Sequence, residues 1–492
     1  KSLNDALAKL GHKPVSSDAP GKEGYQIVSG RVDGLDILVV NGCDSLGAFH
    51  GVGRLLRKMR FVDGGASAPS DLNISSAPAS WQRRFIFEAN AGFANTTPDG
   101  WREIWTDYIF WGLSAISTSC DPAQQGDPRE SDFSRYLWDT WTQAVDLTQS
   151  LGLDMVHVTQ TNLVPKEGEF APANIPDFPE INYMTCNSNG INPKFPRGMK
   201  VLEDSRRWFF ENLPKAEKVD YIFSGWDTGG CRDPEIGPWS IKFAEIVGDM
   251  LYPMVTERNP DAKIILRLYF LPQIKELAEK LRDGWRPQGI EAFEFAWVQE
   301  TDIAHLIPDD YKKVFLSMWC TDFFFYGGIG CNVRPKFCEE NFREVRDRCG
   351  IRDGLGNYNE AVHEFVNQMI LLQMSWDPSL SVDEILDDIC NYYFGEEAGP
   401  ILKEAFYLME GEQPEILDDP ILNPKVIELV AEAEKVLPDW ARSSYHWGVI
   451  EGRAGVNRTR RIQADLLAQF DKYWSQYETL LTQDDKADKQ LL

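Results

Sequence analysis

Val219-Asp220-Tyr221-Ile222-Phe223-Ser224-Gly225-Trp226-Asp227-Thr228-Gly229-Gly230-Cys231 is the stretch on which the reading of this chain turns. Tyr221 to Phe223 is a short aromatic and β-branched run, the composition of a buried strand. It stops abruptly in Ser-Gly-Trp-Asp-Thr-Gly-Gly, where glycines let the backbone turn sharply and approach a ligand closely. In a parallel α/β barrel the positions just after a strand form the C-terminal mouth, where such enzymes keep their chemistry. Trp226 and Asp227 hold that place here. An Asp before Thr-Gly-Gly also serves simply as a turn residue bonded to its own backbone. The rest of the chain has to decide.

Working outward, apolar strand-like runs alternate with helical segments. The runs fall at 84–88, 113–117, 155–158, 221–223, 264–269, 292–297 and 314–319, with a weaker one near 350–356. Helical spacing appears between them at 101–110, 133–150, 240–256 and 273–282. Alternation of this kind predicts parallel βα units, and eight of them close a TIM (β/α)8 barrel, here spanning 79–375. A loop at 166–197, rich in Pro, Asn and Phe, is long enough to form a wall of a site.

Ahead of the barrel, 1–78 reads as a small α/β unit. It has a helix at 3–10, strands at 24–30 and 36–42, and a helix at 45–59 whose glycines imply close packing on the sheet. A Ser/Ala/Pro-rich linker at 66–80 ends it. Behind the barrel, 376–492 reads as a helical domain whose last ten residues fray. Its helices, the first beginning just inside the barrel region, are expected at 361–374, 381–393, 399–409, 424–436 and 448–482.

The 492 residues suffice for two or three domains. A formal charge of -26 argues against nucleic acid or an anionic membrane surface as partner. No apolar run reaches the roughly 18 residues a membrane span needs. Lys1-Ser2-Leu3-Asn4-Asp5 shows no apolar signal core; a secreted or periplasmic location is expected, with its signal not visible. The nine cysteines lack any C-x-x-C, so neither a metal site nor a disulfide scaffold is expected. Cys331, Cys338 and Cys349 are close enough in sequence for one disulfide. No cofactor is expected.

The residues at the strand ends share a chemistry. In chain order they are Glu88-Ala89-Asn90, Cys120-Asp121, His157 with Gln160-Thr161-Asn162, and Trp226-Asp227. Arg267 with Tyr269, Glu294 with Trp297, Trp319 with Asp322, and Asn357-Tyr358-Asn359-Glu360 follow. Aromatic faces stack on the C–H surfaces of sugar rings, amides and carboxylates bond their hydroxyls, and paired carboxylates cleave glycosidic bonds. Each residue has a plainer role as well. His157 in Met-Val-His-Val is more often a core histidine. Trp297 and Trp319 singly read as barrel packing, and Glu360 begins a helix, where a carboxylate suits the dipole. Glu294 lies in an apolar run, where a carboxylate is costly unless paired; Arg267 is either its partner or a ligand for an acidic substrate group. Asp322 precedes Phe323-Phe324-Phe325-Tyr326-Gly327-Gly328, an aromatic loop hard to justify in solvent.

Three segments resemble a known group. Gly47-Ala48-Phe49-His50-Gly51-Val52-Gly53-Arg54-Leu55-Leu56-Arg57 resembles the small domain preceding the barrel in family 20 β-hexosaminidases, family 67 α-glucuronidases and family 89 α-N-acetylglucosaminidases. Trp81-Gln82-Arg83-Arg84-Phe85-Ile86-Phe87-Glu88 is similar to their first barrel strand. Trp376-Asp377-Pro378-Ser379-Leu380-Ser381 with Tyr393-Phe394-Gly395 resembles the start of the helical domain in glucuronidase-like members and in family 163-type endo-acting enzymes. The resemblance implies a glycoside hydrolase. Family 20 members carry adjacent Asp-Glu after strand four, whereas this chain reads Trp226-Asp227-Thr228. One catalytic role, that of general acid, therefore passes to Asp227. The second carboxylate must come from another strand: Glu360 or Asp322, with Glu294 third.

The expected activity is metal-free cleavage of a glycosidic bond at an N-acetylhexosamine or uronic acid residue. Trp226, Asn162, Arg267, Glu294, Trp297, Trp319, Tyr358 and His157 would bind the sugar. A homodimer is compatible with this reading. The rivals are a non-catalytic carbohydrate-binding protein on a degenerate barrel and a uronic-acid lyase, the latter kept open by Arg267.

Overall fold

The computed structural model describes residues 3–490 except 63, 81, 89–96, 120, 167, 172–189, 217–218, 226–229, 232, 270, 297–301, 318–332, 360–363 and 411–422. Eight strands close a barrel: β4 (Gln82–Glu88), β5 (Ala115–Ser119), β6 (Asp154–Gln160), β7 (Val219–Ser224), β8 (Ile264–Arg267), β9 (Ile290–Phe295), β10 (Lys312–Ser317) and β11 (Gly354–Asn359). Each pairs in parallel with its chain neighbours, and β11 returns to β4 to complete the ring. The β-branched and aromatic runs that announce these strands suit a sheet buried on both faces.

Alternation along the strands sorts the side chains. Ala115, Val156, Val158, Ile222, Ile265, Ala292 and Val314, all nearly inaccessible, form one cluster drawn from six strands. Residues from so many strands meet only inside the barrel, so this cluster marks the lumen-facing positions. The alternate residues face the surrounding helices. Those between the strands include α3 (Pro98–Phe110), α5 (Asp132–Ser150), α6 (Pro196–Asn212), α9 (Ile274–Arg282) and α10 (Pro335–Arg343), with α4 (Pro122–Gln125) leading into α5. The predicted helix at 240–256 is two, α7 (Trp239–Ile246) and α8 (Tyr252–Arg258), joined by a π-helical turn. The repeat is uneven: between β9 and β10 the described residues hold one turn of 3₁₀ helix.

Ahead of the barrel, α1 (Leu3–Lys9) precedes a hairpin of β1 (Tyr25–Val32) and β2 (Leu35–Gly42). Asp33 and Gly34, both at positive φ, make its two-residue turn, the conformation that matches strand twist. The expected linker at 66–80 contains β3 (Asn73–Ser76), which pairs with β1. Its Asn-Ile-Ser-Ser carries one apolar residue, too weak a period to stand out. Helix α2 (Ser45–Lys58) starts at Asp44, whose Oδ1 accepts from Gly47 N at 2.7 Å. Its glycines serve close packing. A Cβ on Gly51 would meet Val40 at 2.7 Å, and one on Gly53 would meet the Phe110 backbone of α3 at 2.3 Å.

Helix α11 (Phe365–Trp376) follows β11 and is buried on every side, the pattern of a helix enclosed within a large core. The chain then divides into two compact units, one of residues 1–61, 65–321 and 336–386, the other of 62–64, 322–335 and 387–492. The second contains α13 (Pro424–Val436), α14 (Asp439–Arg442) and the 46-residue α15 (Tyr445–Gln490). The chain passes from the first unit to the second within α12 (Val382–Glu410), expected as two helices; its one non-helical residue is Gly395 at φ 82°. Among the described residues, no helix is long and apolar enough to cross a membrane. Cys338 and Cys349 are free thiols, so the disulfide that 331, 338 and 349 allow is not formed.

Candidate active site

The lumen changes character one layer above its apolar cluster. Arg267 and Glu294 stand two residues beyond Ile265 and Ala292, so both point inward. They are register partners on adjacent strands, and Arg267 Nε donates to Glu294 Oε1 at 2.7 Å with both side chains buried. The same spacing points Ser117, Gln160 and Ser224 into the lumen, Gln160 and Ser224 in register with Arg267 and Ser117 lower, in register with Val156 of the apolar cluster. Ser117 Oγ and Gln160 Oε1 are buried with no hydrogen-bond partner among the described residues. Higher still, Tyr358 packs with Ala296 and Leu316, and Tyr269 lies against them. The C-terminal half of the lumen therefore offers an ion pair, hydroxyls, an amide and a tyrosine: a polar floor beneath an aromatic wall.

Two sequence expectations change here. Asn357, Tyr358 and Asn359 belong to β11 rather than to the loop after it, because the strand begins later than the weak 350–356 run suggested. His157 is not a sugar-binding residue of the mouth. Its register partner is Tyr221, next to lumen-facing Ile222, so both look outward into the helix layer. There His157 lies 5.2 Å from the Trp141 ring and 5.5 Å from Tyr221. Burial, with Arg258 assisting, lowers its pKa to about 3 and keeps it neutral.

Asp121, a carboxylate at the end of β5, is fully engaged. Its Oδ2 accepts from Thr159 Oγ1 at 2.6 Å and Gln160 N at 2.7 Å; its Oδ1 accepts from Ala123 N at 2.8 Å and Arg206 Nη1 at 2.7 Å. Arg206 of α6 also donates to Leu163 O. A buried carboxylate with four donors fixes structure and offers no lone pair to chemistry. Asn162 lies beside this network; its carbonyl accepts from Ile191 N at 2.8 Å, where the long loop returns. The returning chain is tied to the loop after β7: Asn192 Nδ2 donates to Asp233 Oδ2 at 2.9 Å.

The glycines after β7 answer a close approach, but Gly230 does so for the protein itself. At φ +94° it lies so near Trp239 of α7 that a Cβ would fall 1.6 Å from the indole Nε1. Trp226, Asp227, Trp297, Trp319, Asp322 and Glu360 lie outside the described residues. Sequence reading set Gln160 at a strand end without giving it a role and passed over Ser117 and Ser224, whose signal was the period of two counted from Ala115 and Ile222. It also missed Arg206, a helix residue no strand-end search would find. Among the described residues, no group of three His, Cys, Asp or Glu could hold a metal ion.

No family model matches the chain, and no curated protein matches it in sequence. Solved structures match its fold. A family 89 glycoside hydrolase from Clostridium perfringens, in complex with PUGNAc, superposes with a TM-score of 0.57 at 12% identity over 87% of this chain and 57% of its own. The fold is that of the glycoside hydrolase barrels. A family 115 4-O-methyl-α-glucuronidase with specificity for decorated arabinogalactans gives 0.57 at 12% identity, covering 90% of this chain and 64% of that one. A family 20 exo-β-N-acetylglucosaminidase from Vibrio harveyi, in complex with N-acetylglucosamine, gives 0.51 at 10% identity over 83% and 72%. Families 89 and 20 are two that the sequence segments resemble. The chain spans 57% and 64% of the first two structures.

Proposed function

We propose that this chain is a glycoside hydrolase, with 79–375 as a (β/α)8 catalytic barrel, 1–78 as a small α/β domain and 376–492 as a helical domain. The observation that carries the reading is the polar floor of Arg267, Glu294, Gln160 and Ser224 at the C-terminal ends of a closed parallel barrel. Barrel enzymes place their chemistry at that end, and amides, hydroxyls and a fixed carboxylate are what sugar hydroxyls bond. The substrate is a glycan or polysaccharide, cleaved at an N-acetylhexosamine or uronic acid residue.

In this reading Asp227, three residues beyond the end of β7, protonates the departing glycosidic oxygen. A second carboxylate attacks the anomeric carbon or activates water. Glu360, directly after β11, is the leading candidate for it, with Asp322 behind. A separation of about 5 Å between the two carboxylates gives retention and about 6.5–9.5 Å inversion. Glu294 does not take that role; Arg267 holds it at the barrel floor, where it orients hydroxyls.

The test is hydrolysis of a panel of chromogenic glycosides by Asp227→Asn, Glu360→Gln and Asp322→Asn. Loss of general-acid assistance is expected to lower kcat by about 10²–10⁴ in Asp227→Asn, with substrate binding retained. Full turnover in that variant would refute the assignment. Binding without release by the native protein would identify a carbohydrate-binding protein instead.

A further inference from the structure

The far part of α15 leaves its large apolar side chains exposed. From Ile462 to Trp474 the six large ones, Ile462, Leu466, Leu467, Phe470, Tyr473 and Trp474, are each 50% to 65% exposed. At 100° per residue they share one broad face, and Phe470 and Trp474 stack at 6.0 Å and 19° along it. In proteins most of a helix's stability comes from packing its amphipathic face. So wide an apolar face on it requires a cover.

We infer that the cover is the same face of a second copy, in an antiparallel pairing of two α15 helices. Charge and layout choose this occupant. Asp465 and Lys472, exposed and seven residues apart, lie on the same flank of the stripe. A two-fold axis perpendicular to the helix between Ala468 and Gln469 sets each Asp465 against the partner's Lys472. The same axis brings Ile462 beside the partner's Trp474, and Leu466 and Leu467 beside its Phe470. The stripe thus complements itself in one orientation, as an isologous interface must. Its six side chains present roughly 700 Å², close to the roughly 800 Å² per partner of a standard interface.

The test is sedimentation equilibrium of the intact chain at micromolar concentration. The native chain is expected to be a dimer, and Leu466→Glu with Phe470→Glu a monomer whose near-ultraviolet circular dichroism changes only in the tryptophan band of Trp474. Asp465→Lys should weaken the dimer at least tenfold by setting lysine against lysine, and adding Lys472→Asp should restore it. A monomeric native chain overturns the proposal and leaves the stripe to some other cover. A dimer indifferent to the charge reversal, or not restored by the swap, overturns the antiparallel arrangement.

Discussion

Two buried Arg–Glu pairs lie at opposite ends of the barrel, and they do different things. At the N-terminal end, Arg83 of β4 reaches Glu23 of the preceding small unit. Its Nε donates to Gly112 O at 2.7 Å and its Nη1 to Ser80 O at 2.6 Å, so the guanidinium is spread over three acceptors. Trp376 closes the pair, its ring 5.2 Å from the Arg83 guanidinium carbon and 5.6 Å from Tyr25, with its Nε1 bonded to Ser76 Oγ at 2.8 Å. His50 adds a further tie, its ring 3.1 Å from Leu113 O. Backbone and indole surround this pair as in a weld. The C-terminal pair, Arg267 with Glu294, instead sits in a layer of hydroxyls and amides, above hydrophobic packing and below the mouth. Identical chemistry fastens two parts of the fold at one end and, in the function proposed above, forms a binding floor at the other.

The largest effects should separate the two pairs. Removing one partner leaves a buried charge uncompensated, at about 3–5 kcal/mol, so Glu23→Gln and Glu294→Gln should both lower the unfolding midpoint in urea. Replacing each pair by hydrocarbon should then part them. Glu23→Leu with Arg83→Met is expected to recover most of the stability and full activity. Glu294→Leu with Arg267→Met is expected to recover stability while kcat/KM stays at least about 100-fold down, because the floor no longer bonds substrate. Full activity in the second double variant would make both pairs structural and empty the comparison of meaning.

How much of this was legible in the sequence follows from the same contrast. Strands announce themselves by composition, so seven barrel runs could be read directly and the eighth only weakly and a few residues early; Arg267 stayed open between Glu294 and a substrate acid until the fold paired the two. Glu23, in Gly-Lys-Glu-Gly, carries no period at all. Its partner is 60 residues away, and only the fold brings them together. His157 illustrates the opposite error. A polar residue inside a strand draws attention, but which face it occupies depends on register, and the neighbouring lumen residues settle that face as outward. The glycines after β7 were read as room for a ligand, whereas at Gly230 the room is filled by Trp239. Sequence reports that a close approach occurs and leaves open what approaches.

Histidines give the next effect. Burial, with Arg258 nearby, lowers His157 from 6.5 to about 3; burial, with Arg83 nearby, lowers His50 from 6.5 to about 4. Between the folded and unfolded values the unfolded chain binds more protons, so stability falls as pH drops through 6.5 towards those lower values. The full gap at His157 amounts to on the order of 5 kcal/mol and at His50 to about 3 kcal/mol. His157→Phe, which keeps the ring among Trp141 and Tyr221, should lessen the fall of urea midpoints between pH 6.5 and 4, leaving the share that His50 contributes, with activity at pH 7 intact. A loss of turnover at pH 7 without a loss of stability would return His157 to the site.

Asp220 should give the smallest effect, with the opposite sign. Two residues before Ile222, it faces the lumen at its N-terminal end, far along β7 from Ser224 and the polar floor. Burial raises its pKa from 3.8 to about 6, with Asp154 and Glu291 adding to the rise against the Lys263 amide, which donates to Oδ1 at 3.2 Å. Between 3.8 and about 6 the folded chain holds the extra proton. The stabilisation this gives is complete below 3.8 and is lost as pH rises through 6, leaving a buried charge at neutrality. Asp220→Asn keeps the acceptor for Lys263 N and removes that charge. It should raise stability by about 2–3 kcal/mol at pH 7.5 and by nothing measurable at pH 3.5. Because the position lies at the structural end of the barrel, kcat should not move. A fall in kcat with unchanged stability would mean that the lower lumen takes part in the chemistry, and that the division between the two ends has been drawn in the wrong place.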